Sequence, residues 1–134
     1  MRTRRIHHLG VAVSDLEEAF DTYSRLFGAE LEHRETLAVQ GVEAIAIKVG
    51  ESRVELLGAL GDDTPVGRFL AKRGPGMHHV AYEVEDVGEA LDELSAKGTE
   101  LIDERPRRGL FGLEVAFLHP DAVHGVLAEI VSGG

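Results

Sequence analysis

Two histidines and two glutamates carry the spacing that suggests chemistry. His8 and His79 occupy the same place in two look-alike segments, Ile6-His7-His8-Leu9-Gly10-Val11-Ala12-Val13 and Met77-His78-His79-Val80-Ala81-Tyr82-Glu83-Val84. Glu55 and Glu129 are matched in the same way, in Val54-Glu55-Leu56-Leu57 and Ala128-Glu129-Ile130-Val131. An ionised carboxylate in the middle of an apolar strand is costly unless something positive compensates it. Imidazole and carboxylate together suit a divalent first-row cation, with positions left for water or substrate oxygens. The expectation is a His2Glu2 site made of His8, Glu55, His79 and Glu129. The donor set leaves Co, Mn, Ni, Zn and Fe open. A single strand histidine is more often a packing residue, and Arg53 is near enough in sequence to neutralise Glu55. The recurrence of all four residues in matched positions weighs against both bland readings.

The elements that must position these groups repeat as well. His8, Asp15, Glu18 and Ala19 match His79, Asp86, Glu89 and Ala90 at a constant offset of 71 residues. One domain over residues 1–134 is expected, built from a module at 1–74 and a second at 75–134, with Gly74-Pro75-Gly76 as the break. Each reads as β-α-β-β-β, giving an α+β fold in which two tandem modules form a curved mixed sheet. In the first, a strand at 6–13 leads to a helix capped by Ser14 or Asp15 and stopped at Gly28. Its apolar positions are Leu16, Ala19, Phe20, Tyr23, Leu26 and Phe27. Strands follow near 29–37, 42–48 and 52–58, then a short helix from Thr64-Pro65. In the second, a strand at 77–84 precedes a helix at 86–97 with apolar face Val87, Ala90, Leu91 and Leu94. Strands are expected near 99–103, 113–118 and 124–131, and Glu104-Arg105-Pro106-Arg107-Arg108-Gly109 reads as a basic loop.

Strand parity then sorts the candidate groups by face. Leu9, Val11 and Val13 share a face with His7 and should pack under the helix. His8 is left with Gly10 and Ala12 on the other side, and His79 with Ala81, where small residues leave room for a ligand. His7 and His78 are expected to pack or to support the ligands. His33 is read as surface, while His119 and His124 flank a turn where either could meet substrate. Glu43 shares a face with Ile45 and Ile47, as a reserve proton-transfer group or an edge residue.

Composition narrows the class. The formal charge of −10 argues against nucleic acid as the main partner. An apolar share of 43% supports a real core, and no run is long enough to span a membrane. There is no cysteine, which removes disulfides, thiolate ligands and a cysteine nucleophile. With no apolar signal region behind Arg2-Thr3-Arg4-Arg5, a soluble cytoplasmic protein is expected.

At this point the chain resembles the vicinal oxygen chelate superfamily, which includes glyoxalases, extradiol dioxygenases and antibiotic-resistance proteins. Within it the chain is most similar to the methylmalonyl-CoA epimerase family. The resemblance rests on Arg5-Ile6-His7-His8-Leu9-Gly10-Val11-Ala12, on Pro65-Val66-Gly67-Arg68-Phe69-Leu70 leading to Gly76-Met77-His78-His79, and on Glu104-Arg105-Pro106-Arg107-Arg108-Gly109. It rests also on Phe117-Leu118-His119-Pro120 running into His124-Gly125-Val126-Leu127-Ala128-Glu129. It implies His8, His79 and Glu129 as metal ligands, with Glu55 at the fourth position. The implied cofactor is a divalent ion, cobalt first, with manganese, nickel and zinc as alternatives. The implied reaction interconverts (2R)- and (2S)-methylmalonyl-CoA by a 1,1-proton shift through a metal-stabilised enolate, with Glu129 and Glu55 as the acid/base pair. Arg107, Arg108 and His119 are then the expected contacts to the acyl-CoA substrate, and a homodimer is the expected assembly.

The chain departs from the family in two places. His7 stands where members commonly have Asp. A proposed catalytic Glu follows the Gly-Val of the third strand in some members, but alignment on Gly41-Val42 puts Ala44 there. Glu43 is one residue early and would need a bulge to reach that face. Two rival readings share the fold: a glyoxalase I-type lyase acting on thiol hemithioacetals, and a non-catalytic small-molecule binding protein. The turn at His119-Pro120 and the absence of tryptophan count against the first. The complete ligand set and an aromatic content of only 5% count against the second.

Overall fold

The computed structural model describes residues 1–133, and they form two compact units. One is His8–His78; the other combines Met1–His7 with the chain from His79 onward. The Gly74-Pro75-Gly76 break lies at the start of β5, whereas the compact units divide inside β1 and β5, at His7/His8 and His78/His79.

The unit His8–His78 contains the later part of β1 (Thr3–Ala12), then α1 (Leu16–Phe27), β2 (Glu30–Leu37), β3 (Val42–Val49), β4 (Ser52–Ala59) and α2 (Pro65–Arg73). Helix α1 begins where the Asp15 carboxylate accepts from the Glu18 amide at 3.0 Å, satisfying a donor the first turn would otherwise leave open. It ends at Gly28 (φ 66°), whose left-handed conformation lets its amide reach the Ser24 carbonyl at 3.0 Å. Strand β3 runs antiparallel to both β2 and β4, while β4 pairs parallel with β1. Val13, Leu16, Ala29, Ile45, Ile47 and Leu56 form the core between α1 and this sheet, with Val11, Ala19, Phe20 and Tyr23 packed against it. Leu26 and Phe27, expected on that apolar face, are instead 58% and 61% exposed. They lie in the last turn, past the edge of the core. Helix α2 starts at Thr64, whose hydroxyl accepts from the Gly67 amide at 3.0 Å, and it buries Val66.

The other unit holds most of β5 (Gly76–Val84), then α3 (Val87–Ala96), β6 (Arg107–Arg108), β7 (Glu114–Leu118) and β8 (Ala128–Ser132). Asp86 caps α3 as Asp15 caps α1, accepting from the Glu89 amide at 2.9 Å. Val87, Ala90 and Leu91 are buried at helical spacing against Val84, Ala116 and Ile130. Strand β8 lies between β5, to which it is parallel, and β7, to which it is antiparallel. Each unit is thus a mixed sheet with helical cover, the α+β plan expected from the repeat.

Two strand expectations are corrected here. No strand forms at 99–103; only an isolated bridge joins Leu101 to Leu118. The amides of Ile102 and Asp103 both turn onto the Phe117 carbonyl, at 3.0 and 3.1 Å. The Phe117 amide is taken by the Asp103 side chain at 2.9 Å, so no ladder can propagate. The basic stretch supplies a strand in its place, as β6. The last strand begins at Ala128 rather than at 124, because Pro120–Val123 wind into a short 3-10 turn closed by His124 at φ 58°. Among the described residues no helix is long and apolar enough to cross a membrane.

Candidate metal centre

Each unit brings one histidine and one glutamate together by the same strand register. Gly10 on β1 stands opposite Glu55 on β4, which puts Glu55 on the face of His8, two residues from Gly10. Ala81 on β5 stands opposite Glu129 on β8, which does the same for His79. The burial of all four agrees: His8 and Glu55 are 2% exposed, His79 4% and Glu129 7%. In one unit His8 Nε2 lies 3.3 Å from Glu55 Oε2. In the other, His79 Nε2 lies 3.3 Å from Glu129 Oε1. That spacing is long for a charge-assisted hydrogen bond, which would close to about 2.8 Å. Two ligands each about 2.1 Å from one ion and roughly 100° apart would stand about 3.2 Å from each other. Within each unit the imidazole and carboxylate therefore fit a divalent cation by donor type, burial and separation.

The surroundings hold these pairs in place. On β7, Phe117 stands opposite Glu129 and its ring packs T-shaped with the His79 imidazole, with centroids 5.7 Å apart and planes at 84°. The Arg107 guanidinium lies over the Phe117 ring at 5.5 Å and donates through Nε to Asp103 Oδ2 at 3.3 Å. His78 packs edge-on against Phe69 of α2 at 4.9 Å, as expected of a packing residue. His7 is buried, 6% exposed. Beyond Ala81 on β5, Glu83 is also buried and accepts from Arg5 Nε at 2.5 Å. That hydrogen bond holds the Glu83 carboxyl below its usual range, against the opposing effect of burial, with the charges of Arg5, His7 and Arg4 adding to the depression.

The remaining candidates spread out. Arg107 and Arg108 are neighbours on β6 and so present opposite faces. Arg107 stands opposite Val115, on the Glu129 face, and Arg108 opposite Glu114. The His119 imidazole accepts from the Asp121 amide at 3.1 Å, capping the turn after β7, and its Nε2 lies 3.6 Å from Glu100. Glu43 stands opposite Gly58 in an unbroken β3–β4 register, on the α1 side of the sheet. There it accepts from Arg34 Nε at 3.0 Å, and Arg34 also pairs with Glu17. Those two hydrogen bonds, Glu17 first, raise the Arg34 pKa. No bulge turns Glu43 toward Glu55. Arg53 grips Glu32 with two hydrogen bonds, at 2.5 and 3.0 Å, and His33 is exposed beside Glu35. Sequence reasoning did not single out Asp103, Phe117 or Glu83. For Phe117 the signal was available, since it alternates with Val115 on a strand whose partner carries Glu129.

A family model described as the Glyoxalase/Bleomycin resistance protein/Dioxygenase superfamily matches residues 7–117. The chain belongs to this superfamily. Among its homologues, the mitochondrial methylmalonyl-CoA epimerase of Bos taurus is 39% identical over 127 residues, covering 94% of this chain and 73% of the relative. The ethylmalonyl-CoA/methylmalonyl-CoA epimerase of Cereibacter sphaeroides is 38% identical, covering 94% and 96%. A variant of Streptomyces coelicolor methylmalonyl-CoA epimerase solved with 2-nitronate-propionyl-CoA superposes with a TM-score of 0.95 at 35% identity, over 99% of this chain and 96% of that one. As a member of the superfamily, the chain has the glyoxalase-like fold that the family resemblance implied.

Proposed function

We propose that this protein is a metal-dependent epimerase that interconverts (2R)- and (2S)-methylmalonyl-CoA. One observation carries the reading: each unit holds a buried His–Glu pair at 3.3 Å, in a chain homologous over nearly its whole length to methylmalonyl-CoA epimerases. His8, Glu55, His79 and Glu129 share one divalent cation in this proposal, cobalt by preference. When bound, the ion supplies positive charge that stabilises the oxyanion developing on the thioester as C2 loses its proton.

The chain's own residues then handle the proton. Inverting C2 needs a base on one side and an acid on the other. Glu55 and Glu129 fill these roles, exchanging them with the direction of turnover: one takes the C2 proton while the other returns a proton to the opposite side. Bonds and charge balance with no further reactant. Ala44 has no ionisable group, and Glu43 is held on the α1 side by Arg34, which leaves the two ligand carboxylates as the pair. Arg107, Arg108 and His119 are the proposed contacts to the anionic acyl-CoA, Arg being suited to bidentate phosphate binding. A homodimer acting in the cytoplasm completes the proposal.

Deuterium wash-in at C2 of methylmalonyl-CoA in D2O, with and without chelator, tests it. Wash-in that is lost on chelation and restored by cobalt is expected. No wash-in, together with turnover of the methylglyoxal–glutathione hemithioacetal, would overturn it in favour of a lyase.

A further inference from the structure

We propose that Asp103, Arg107 and Phe117 form a positioning assembly that fixes the His79 imidazole for metal binding. The inference rests on the metal reading above; it assigns work to Asp103 and Phe117, which that reading leaves unused, and a second role to Arg107.

Phe117 is held at three points. Its carbonyl accepts from the amides of Ile102 and Asp103, its amide donates to Asp103 Oδ2 at 2.9 Å, and Arg107 covers its ring at 5.5 Å. Arg107 is held in turn by the same carboxylate oxygen of Asp103, whose side chain is 19% exposed. One carboxylate thus fixes both the backbone that carries the ring and the cation that covers it.

The ring offers no ligand atom and no proton. What it offers is a T-shaped contact with the His79 imidazole, the two planes at 84°, on the face it shares with Glu129. A ligand histidine binds well only when its ring is already turned toward the ion, and groups that fix that orientation typically change metal affinity by about 10–100-fold. For most ligand histidines the orienting group is a hydrogen-bond acceptor. Here the strap through Asp103 and Phe117 adds a steric and aromatic constraint from the side. It also explains why the expected strand at 99–103 does not form: the segment gives its amides and the Asp103 side chain to Phe117.

Cobalt binding to the purified full-length protein is the test, read by calorimetry and by the visible absorption of bound Co2+. Phe117→Leu removes the ring while keeping apolar bulk, Asp103→Asn weakens the strap, and Phe117→Tyr keeps the ring. Expected are at least about tenfold weaker cobalt binding and an altered cobalt spectrum in Phe117→Leu. Asp103→Asn should change in the same direction, and Phe117→Tyr should return to wild-type affinity. In the cobalt-loaded enzymes kcat should fall more than KM rises. Unchanged cobalt affinity and spectrum in a folded Phe117→Leu protein overturn the inference while the metal reading stands. Failure of the wild type to bind cobalt overturns both.

Discussion

Glu43 and Glu55 lie on adjacent strands and on opposite faces of the same sheet. Glu43 stands opposite Gly58, while Glu55 stands opposite Ala46 on β3 and Gly10 on β1. The separation is enforced by parity, because one residue of displacement along a strand changes the face. Arg34 then binds Glu43 from the α1 side. Glu43→Gln should leave cobalt binding intact and kcat within about twofold of wild type, since a half-exposed ion pair contributes little. Glu55→Ala should weaken cobalt binding by about tenfold or more and abolish epimerisation. Metal titration of the two variants side by side checks the contrast.

Arg5 and Glu83 make an ion pair outside the proposed metal centre whose carboxylate is largely buried. The Glu83 side chain is only 10% exposed, whereas Arg5 keeps 54% of its surface. Because the Glu83 pKa is depressed on folding, its stabilising contribution is fully present above the unfolded value of 4.5. It is lost as the pH falls below that value and through the folded pKa. Glu83→Gln should therefore be less stable than wild type at neutral pH, by on the order of 1–2 kcal/mol. The two proteins should converge in acid. Urea unfolding at pH 7 and at successively lower pH follows the trend, and a gap that did not narrow as the pH fell below 4.5 would contradict the linkage.

These two cases show what the sequence could and could not reveal. The duplicated His–Glu pattern was legible because both members of each pair sit in alternating strands with a matched neighbour in the other module. Their burial and facing follow from that alternation alone. The cap of the first helix was legible as Ser14 or Asp15 for a similar reason, the interaction being local and three residues long. The missing strand at 99–103 was not legible, because Asp103 spends its carboxylate on the amide of Phe117, fourteen residues away. No local propensity encodes that choice. Nor did composition separate Arg107 from Arg108, since a run read as a loop carries no parity. Leu26 and Phe27 fit the helical period yet are exposed in the last turn of α1, a boundary of the core that periodicity alone does not contain.

Helix α2 carries a packing constraint that propensity would misjudge. Replacing a helical glycine by alanine normally favours the helix by about 1 kcal/mol. At Gly67, however, a Cβ would lie 2.2 Å from the Gly61 carbonyl oxygen and 2.9 Å from that of Asp62. Both are backbone atoms and cannot simply rotate away. Moving them costs about 1–3 kcal/mol, so Gly67→Ala should be destabilising on balance. The Thr64 cap, which accepts from the Gly67 amide, would be displaced with it. Thermal unfolding checks the sign, and a stabilised variant would refute the steric argument.

Metal should also stabilise the fold, because the proposed ligands are buried and come from strands well separated in the chain. A ligand that binds only the native state adds about 2.7 kcal/mol when present at a hundred times its dissociation constant. For a chain of 134 residues, that corresponds to a rise in Tm of roughly 8–14 °C. Glu129→Ala should blunt the rise, because it removes the carboxylate 3.3 Å from His79 Nε2 and leaves that histidine without its companion ligand. Glu43→Gln should retain the full rise, since its carboxylate belongs to Arg34 on the other face. Differential scanning calorimetry with cobalt and with chelator tests all three proteins. An equal rise in Glu129→Ala and wild type would mean that the ion binds elsewhere on the surface.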